Sequence, residues 1–279
     1  MKEIKNIQLV GSNNKTILLD VFYKEDGIAK PIVIFSHGFK GFKDWGHFNL
    51  LGILFAEAGF VFIKFNFSHN GTTTDNPLEF GDLEAFGNNN YIKELNDLQT
   101  VIDWTLTCSE LNNERDITKL NLLGHSRGGG ITILKAAEES RVTKVATWAS
   151  VSDFINRNKQ NTIEKWKQDG VVYAMNGRTK QNMPLYYQFY QCILDNKERL
   201  NIAKVVKQLD KPFLIVHGTK DEAVSFSDAE ELMRNAKRAE LVKIENGNHT
   251  FGIGHPFNGE LSEHAKEVIE KTIEFFKTN

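Results

Sequence analysis

The sequence predicts an α/β fold in which a mainly parallel, eight-stranded sheet is flanked by helices. Short, continuously apolar runs such as 31–35 and 212–216 recur along the chain, and strands buried on both faces have this composition. Segments with helical spacing separate these runs, and such alternation is typical of parallel sheets with helices on both faces. A chain of 279 residues can form one such unit, so we predict a single domain over residues 1–279.

The elements follow from local patterns in chain order. Strands at 4–10 and 16–23 form a predicted hairpin, because the polar turn 11–14 joins them. The other predicted strands lie at 31–35, 60–67, 119–123, 144–149, 212–216 and 241–244. Apolar residues three or four positions apart predict helices at 46–58, 91–107, 131–139, 227–238 and 260–277. The loop 68–90 is polar, and its length places it near a functional edge of the sheet.

One segment, at about 154–210, interrupts the alternation of strands and helices. We predict that it is a helical cap insertion that covers the site and shapes the substrate pocket. Its aromatic residues could also serve only to attach the insertion to the core; they are Trp166, Tyr173, Tyr186, Tyr187, Phe189 and Tyr190.

Bulk properties narrow the class of protein. The formal net charge of -2 gives no argument for a nucleic-acid or membrane partner. The N-terminal residues lack the apolar segment of a secretion signal, and no run approaches membrane-spanning length. Cys108 and Cys192 fit two unlinked thiols in a reducing compartment, so a cytoplasmic protein is expected. A homodimer stays open, because helix faces and an edge strand both offer contacts.

The most informative stretch is Gly-His-Ser-Arg-Gly at 124–128, which lies between a predicted strand and a predicted helix. This context is the one that a G-x-S-x-G nucleophile elbow requires. The serine of such a turn has a strained backbone, and its neighbours two positions away crowd each other unless they are glycines. We therefore predict that Ser126 is a nucleophile at the end of the sheet, beside a helix N-terminus that favours negative charge.

A serine nucleophile needs a base, which on this architecture follows the serine and the acid in the chain. His249 lies in a loop after the last predicted strand and is the predicted base. His255, in the same loop, is a rival, whereas His264 falls inside a predicted helix and reads as solvent-exposed. Other histidines lie before the acid or at strand ends, where structural hydrogen bonds are expected: His37, His69, His125 and His217.

The predicted acid is Asp221, in a loop just past the strand 212–216. That position brings its carboxylate to the sheet edge that carries Ser126. Glu222 is the adjacent rival, and Asp153 is an alternative from a neighbouring strand end. A loop aspartate also serves turn geometry, so position and chain order are the reasons for choosing Asp221.

The oxyanion of acyl transfer needs backbone donors. The N–H of Arg127, directly after the nucleophile, is one predicted donor, and the N–H of Phe39, in the loop after the third strand, is the other. The Arg127 side chain could bind a substrate carboxylate or form a surface salt bridge.

These motifs together resemble the α/β-hydrolase superfamily, and within it the dienelactone-hydrolase-like and cinnamoyl (feruloyl) esterases and the related serine peptidases. The matching stretches are 37–39, 124–128, 218–221 and 248–251. The resemblance implies the α/β-hydrolase fold, with the serine, aspartate and histidine named above as the triad and the two named amides as the oxyanion hole. Dienelactone hydrolases carry cysteine where this chain has Ser126, which argues against that particular reaction.

The expected function is therefore a serine esterase that cleaves a small to medium carboxylic ester through an acyl-enzyme. A serine peptidase of the acylaminoacyl or prolyl type would use the same residues, but such families commonly carry a β-propeller for which this chain has no room. A non-catalytic binding protein is the third hypothesis, since fold alone does not prove activity. No metal-binding spacing or dinucleotide glycine fingerprint occurs, and none is needed.

Overall fold

The central sheet organises the protein, which is described by a computed structural model covering residues 1–157 and 160–278. Within these residues one sheet contains eight strands, which are β1 (Lys2–Val10), β2 (Thr16–Tyr23), β3 (Lys30–Ser36), β4 (Val61–Asn66), β5 (Arg115–His125), β6 (Val142–Trp148), β9 (Phe213–Gly218) and β10 (Ala239–Ile244). Their order across the sheet is β1-β2-β4-β3-β5-β6-β9-β10. The β1–β2 and β2–β4 pairs are antiparallel and the other pairs are parallel, which confirms the predicted mainly parallel sheet.

Helices cover both faces of this sheet. They are α1 (Phe48–Glu57), α2 (Leu83–Gly87), α3 (Tyr91–Thr107), α4 (Arg127–Glu138), α5 (Gln160–Asp169), α6 (Gln188–Asp195), α7 (Ile202–Gln208), α8 (Phe226–Asn235) and α9 (Glu263–Lys277). Of these, α1, α3, α4, α8 and α9 correspond to the five helices predicted with bounds. The short α2 lies inside the stretch that the sequence predicted as a loop. Its N-cap is Asp82, whose carboxylate accepts a hydrogen bond from the Ala85 N–H at 2.8 Å.

The apolar core lies on both faces of the sheet, which explains the unbroken apolar composition of the central strands. In β3, Ile32 and Ile34 join the cluster on one face, whereas Val33 and Phe35 join the cluster on the other. Successive side chains of a strand point to opposite faces, so a strand covered on both sides buries every residue. The parallel strands are therefore held by apolar packing on both faces up to their carboxyl ends.

The segment between β6 and β9 differs from the predicted helical insertion. It contains α5, α6 and α7, but also an antiparallel hairpin of β7 (Val171–Met175) and β8 (Asn182–Tyr186). Gly170, at φ +73°, follows α5, and the β-branched and aromatic residues after it favour a strand. Residues 158–159 of the predicted insertion lie outside the described residues.

Candidate active site

Ser126 occupies a sharp turn between β5 and α4, with φ 57° and ψ −121°. The flanking glycines are required by close packing. A Cβ at Gly124 would lie 2.3 Å from the Gly128 carbonyl oxygen, and a Cβ at Gly128 would lie 2.4 Å from the His37 carbonyl oxygen. Only glycine allows the strand, the helix and the loop after β3 to approach this closely. The turn thus presents the Ser126 hydroxyl at the carboxyl edge of the sheet.

The structure brings Ser126, Asp221 and His249 together in one hydrogen-bonded chain. His249 Nε2 lies 3.0 Å from Ser126 Oγ, and His249 Nδ1 lies 2.8 Å from Asp221 Oδ2. Because the carboxylate can only accept, His249 donates from Nδ1, which leaves Nε2 free to accept the hydroxyl proton of Ser126. This geometry matches that of a nucleophile with its base and an orienting acid.

Asp221 has a fully buried side chain that stays ionised because it is well hydrogen-bonded. Its Oδ1 accepts the N–H groups of Ala223 and Val224, each at 2.9 Å. Burial alone would raise the pKa of Asp221, but hydrogen bonds from His217, His249 and the Val224 N–H together bring it well below its usual range. Asp221 therefore places a fixed negative charge beside His249.

The structural hydrogen bonds expected for His217, at the end of β9, connect it to Asp221 and to the loop that follows the strand. Its side chain is fully buried, and its Nε2 lies 3.3 Å from Asp221 Oδ2 and 3.0 Å from the Val224 carbonyl oxygen. A carbonyl oxygen only accepts, so the Nε2 proton faces both oxygens. His217 thus holds the loop that positions Asp221.

Two further histidines near the site, His125 and His37, are neutral and hydrogen-bonded to backbone carbonyls. Burial lowers the pKa of His125 to about 3, and its Nε2 lies 2.9 Å from the His249 carbonyl oxygen. Burial also lowers the pKa of His37 to about 4, and its Nδ1 lies 2.9 Å from the Gly38 carbonyl oxygen. Each ring donates to a backbone carbonyl, so the two histidines fix the loops that carry His249 and Phe39.

The two predicted oxyanion donors belong to segments that adjoin Ser126: Arg127 follows it in the chain, and Phe39 follows Gly38, which packs against it. Arg127 is the first residue of α4, where backbone N–H groups are not used by the helix itself. The loop that carries Phe39 is packed on Ser126, since a Cβ at Gly38 would lie 2.9 Å from Ser126 Cβ. The Arg127 guanidinium stacks 4.0 Å from the centre of the Phe39 ring and lies 3.6 Å from Glu94. Its side chain is therefore a largely buried link to that loop, which differs from the surface salt bridge considered from sequence.

Four charged side chains, those of Asp20, Lys43, Asp44 and Lys64, connect the loop after β3 to the sheet. Lys43 Nζ lies 2.8 Å from Asp20 and 2.6 Å from Asp44, while Lys64 Nζ lies 2.6 Å from Asp20 and 2.5 Å from Asp44. Asp20 and Lys64 are on β2 and β4, and their side chains are completely buried. Alternating buried charges of this kind hold one geometry, because separating any pair leaves an uncompensated charge. The loop after β3 is thus tied to the sheet.

The alternative residues predicted from sequence lie away from the triad or have other partners. His255 Nδ1 accepts the Gly46 N–H at 3.0 Å, and His264 lies within α9. Asp153 accepts the N–H groups of Ile155 at 2.7 Å and Asn156 at 2.9 Å, which is turn geometry. Glu222 is exposed next to the buried acid.

Two cavities flank Ser126 and His249. The smaller, of about 200 Å³, also includes Phe39, Trp45 and, from the insertion, Asn176. The larger, of about 370 Å³, is lined by Phe39, Lys40, Tyr91, Ser126, Arg127, Val151, Phe154, Arg157, Ala223, Val224 and His249. Asn176, Lys40 and Arg157 were not identified from sequence, and only Lys40 carried a signal, its position directly after Phe39.

Across residues 1–157 and 160–278, no three His, Cys, Asp or Glu side chains are grouped so as to hold a metal ion. In the same part of the chain, no helix has both the length and the apolar character needed to cross a bilayer. Cys108 is buried, Cys192 is half-buried, and both are free thiols.

Burial of His47, at the start of α1, predicts a measurable pH dependence of stability. Burial lowers the pKa of His47 to about 4, below the value of about 6.5 in the unfolded chain. As the pH falls below 6.5, the unfolded state binds a proton that the folded state does not, so stability is lost. Relative to His47→Gln, wild type should lose about 2 kcal/mol of unfolding free energy between pH 7.5 and pH 5.

Denaturant unfolding of both proteins at the two pH values measures this difference. Taking the difference between the proteins cancels every titration that they share. An equal change in both proteins would contradict the neutral, buried state of His47.

Comparisons with known proteins agree with the fold that the motifs predicted. The sequence profile of the prolyl oligopeptidase family matches residues 47–278, a range that contains Ser126, Asp221 and His249. No curated protein matches the chain at a significant level.

Several solved structures share the architecture over nearly their whole length. Est1E from Butyrivibrio proteoclasticus, solved with ferulic acid bound, is 18% identical with a TM-score of 0.71, covering 96% of this chain and 97% of its own. An esterase domain from Rhodothermus marinus is 18% identical with a TM-score of 0.65, and the coverages are 99% and 98%. The α/β-hydrolase GrgF from Penicillium sp. sh18 is 15% identical with a TM-score of 0.74, also covering 99% and 98%. These similarities show the α/β-hydrolase fold.

Proposed function

The chain belongs to the prolyl oligopeptidase family of α/β-hydrolases, and from this premise we propose that it is a serine hydrolase acting on small carboxylic esters. The observation that carries the proposal is the hydrogen-bonded chain Ser126–His249–Asp221, with contacts of 3.0 Å and 2.8 Å on a strained elbow. A serine is a weak nucleophile unless a positioned base accepts its proton, and this arrangement supplies that base.

Acylation would proceed from the ground-state geometry with little movement. Ser126 Oγ attacks the ester carbonyl carbon while its proton passes to His249 Nε2, and the ionised Asp221 stabilises the resulting imidazolium. The N–H groups of Phe39 and Arg127 bind the oxyanion. His249 then returns the proton to the leaving alkoxide as the C–O bond breaks, which leaves the acyl group on Ser126.

Deacylation reverses these roles with water as the nucleophile. His249 removes a proton from the water, which attacks the acyl carbon, and the proton is passed to Ser126 Oγ as the acyl-enzyme bond breaks. The carboxylic acid product then leaves through one of the two cavities beside Ser126, and the free enzyme is restored.

The cavities favour esters over peptides with a free N-terminus. Among the described residues, neither cavity is lined by a carboxylate that could bind an α-ammonium group, whereas Lys40, Arg127 and Arg157 line the larger one. Among the solved structures of similar fold, one is an esterase domain from Rhodothermus marinus, and Est1E was solved with a carboxylic acid, ferulic acid, bound. A serine peptidase is the second candidate, and the match to the prolyl oligopeptidase family favours it.

Hydrolysis of matched esters and amides tests this proposal. The purified full chain is assayed with 4-nitrophenyl acetate, butyrate and octanoate, and with aminoacyl 4-nitroanilides beside the matching 4-nitrophenyl esters. We expect turnover of the short acyl esters and slower turnover of each anilide. Faster cleavage of the anilides would favour the peptidase, and no turnover of any compound would refute a hydrolase.

A further inference from the structure

We propose that Lys40 binds an anionic group of the substrate, so that the protein prefers esters bearing a second, ionised carboxylate. This inference rests on the proposed function, because it names the substrate class of the same site. Three observations carry it: the place of Lys40 beside the nucleophile, its charge environment and its backbone conformation.

Lys40 lies where an ester would contact it on either side of the scissile bond. It directly follows Phe39, the proposed oxyanion donor, and it lines both cavities that flank Ser126. Its ammonium lies 2.9 Å from the Met175 carbonyl oxygen at the end of β7. That bond uses one of three ammonium protons, so two donors remain for a ligand.

The charges around Lys40 leave it without an acidic partner. The two arginines of the larger cavity are paired, Arg127 with Glu94 at 3.6 Å and Arg157 with Asp228 at 3.1 Å. No carboxylate of the described residues lies within 4.0 Å of Lys40 Nζ. Burial lowers the pKa of Lys40, and the nearby Arg127 charge lowers it further. A bound carboxylate would offset both effects, which gives an anionic substrate a specific advantage.

The backbone of Lys40 has a left-handed conformation that lysine seldom adopts. Its φ is +56°, and such a conformation costs about 1 kcal/mol or more for a residue with a Cβ. Glycine would avoid this cost at the same position. The loop that carries Phe39 thus has a lysine where glycine would be less strained, which supports a selected function of the Lys40 side chain.

The test compares esters that differ in one charge. 4-Acetoxybenzoate and 4-acetoxybenzamide place the charge on the alcohol side, while monomethyl adipate and its neutral amide counterpart, methyl 5-carbamoylpentanoate, place it on the acyl side. Because Lys40 lines both cavities, we expect kcat/KM of wild type to favour the anionic member of at least one pair by about tenfold, a difference of about 1.4 kcal/mol.

Variants assign this preference to the side chain. In Lys40→Met the ratio of anionic to neutral kcat/KM should fall to about one, whereas Lys40→Arg should retain most of it. Lys24→Met removes the same charge from a lysine whose side chain is 66% exposed, and it should keep the wild-type ratio. Because the anionic and neutral esters of a pair are compared within one variant, any general effect of the substitution on the loop that carries Phe39 cancels.

The outcomes separate this inference from the proposed function. Hydrolysis of the neutral esters without preference for either anionic ester would overturn the inference alone. An anionic preference that survives Lys40→Met would also overturn it. Turnover of none of these four esters and of none of the 4-nitrophenyl esters would overturn the proposed function, and the inference with it.

Discussion

Ser126→Ala is expected to lower kcat for a 4-nitrophenyl ester by about 10⁵- to 10⁶-fold, because no other group can form the acyl-enzyme. His249→Ala should cause a loss of similar size, since the hydroxyl then has no base at 3.0 Å. Residues that act as one unit are not additive, so the double variant should be no slower than either single variant. Initial rates at saturating substrate measure all three.

His264→Ala is a matched control for the histidine substitution. It removes an imidazole from α9 that lines neither cavity beside Ser126, and it should change kcat by less than about twofold. Circular dichroism of each variant checks that the fold is retained. A double variant much slower than both single variants would show that Ser126 and His249 act independently, against the proposed mechanism.

Asp221→Asn is expected to lower kcat by about 10⁴-fold with little change in KM. The amide removes the negative charge that stabilises the imidazolium, and its NH₂ group can face His249 Nδ1 and disfavour the productive tautomer. The loss occurs in the transition state, so kcat and kcat/KM should fall together.

Glu222→Gln provides the control, because it makes the same chemical change at the adjacent, exposed residue. Its kcat should stay within about twofold of wild type. Equal losses of kcat in the two variants, or a large loss in Glu222→Gln alone, would contradict the assignment of Asp221 as the acid.

Local sequence motifs and the order of elements along the chain were enough to place Ser126, Asp221 and His249 at one edge of the sheet. The G-x-S-x-G motif between an apolar run and a helix is a local feature, so Ser126 could be placed at the end of β5 from sequence. Parallel strands bring their carboxyl ends to one edge, which allowed the loops with Asp221 and His249 to be assigned to that edge. The structure places these three side chains in contact.

Features that depend on distant contacts were not predicted. Lys40 meets Met175 across 135 positions, and no local pattern reports that the β7–β8 hairpin reaches the cavity. Lys64 is a charged residue within the apolar strand β4, and its partners Asp20 and Asp44 lie on a separate strand and a loop. A buried charge signals that a partner must exist, but the fold decides which residue provides it.

Labelling with a fluorophosphonate probe, read by intact mass, tests most directly whether Ser126 is activated by His249. Such probes react with serine hydroxyls that a neighbouring base has made nucleophilic. We predict one adduct on the wild-type protein and none on Ser126→Ala or His249→Ala. Labelling of Ser126→Ala to the wild-type extent would contradict the assignment of the nucleophile, and with it every role proposed for the triad and the oxyanion donors.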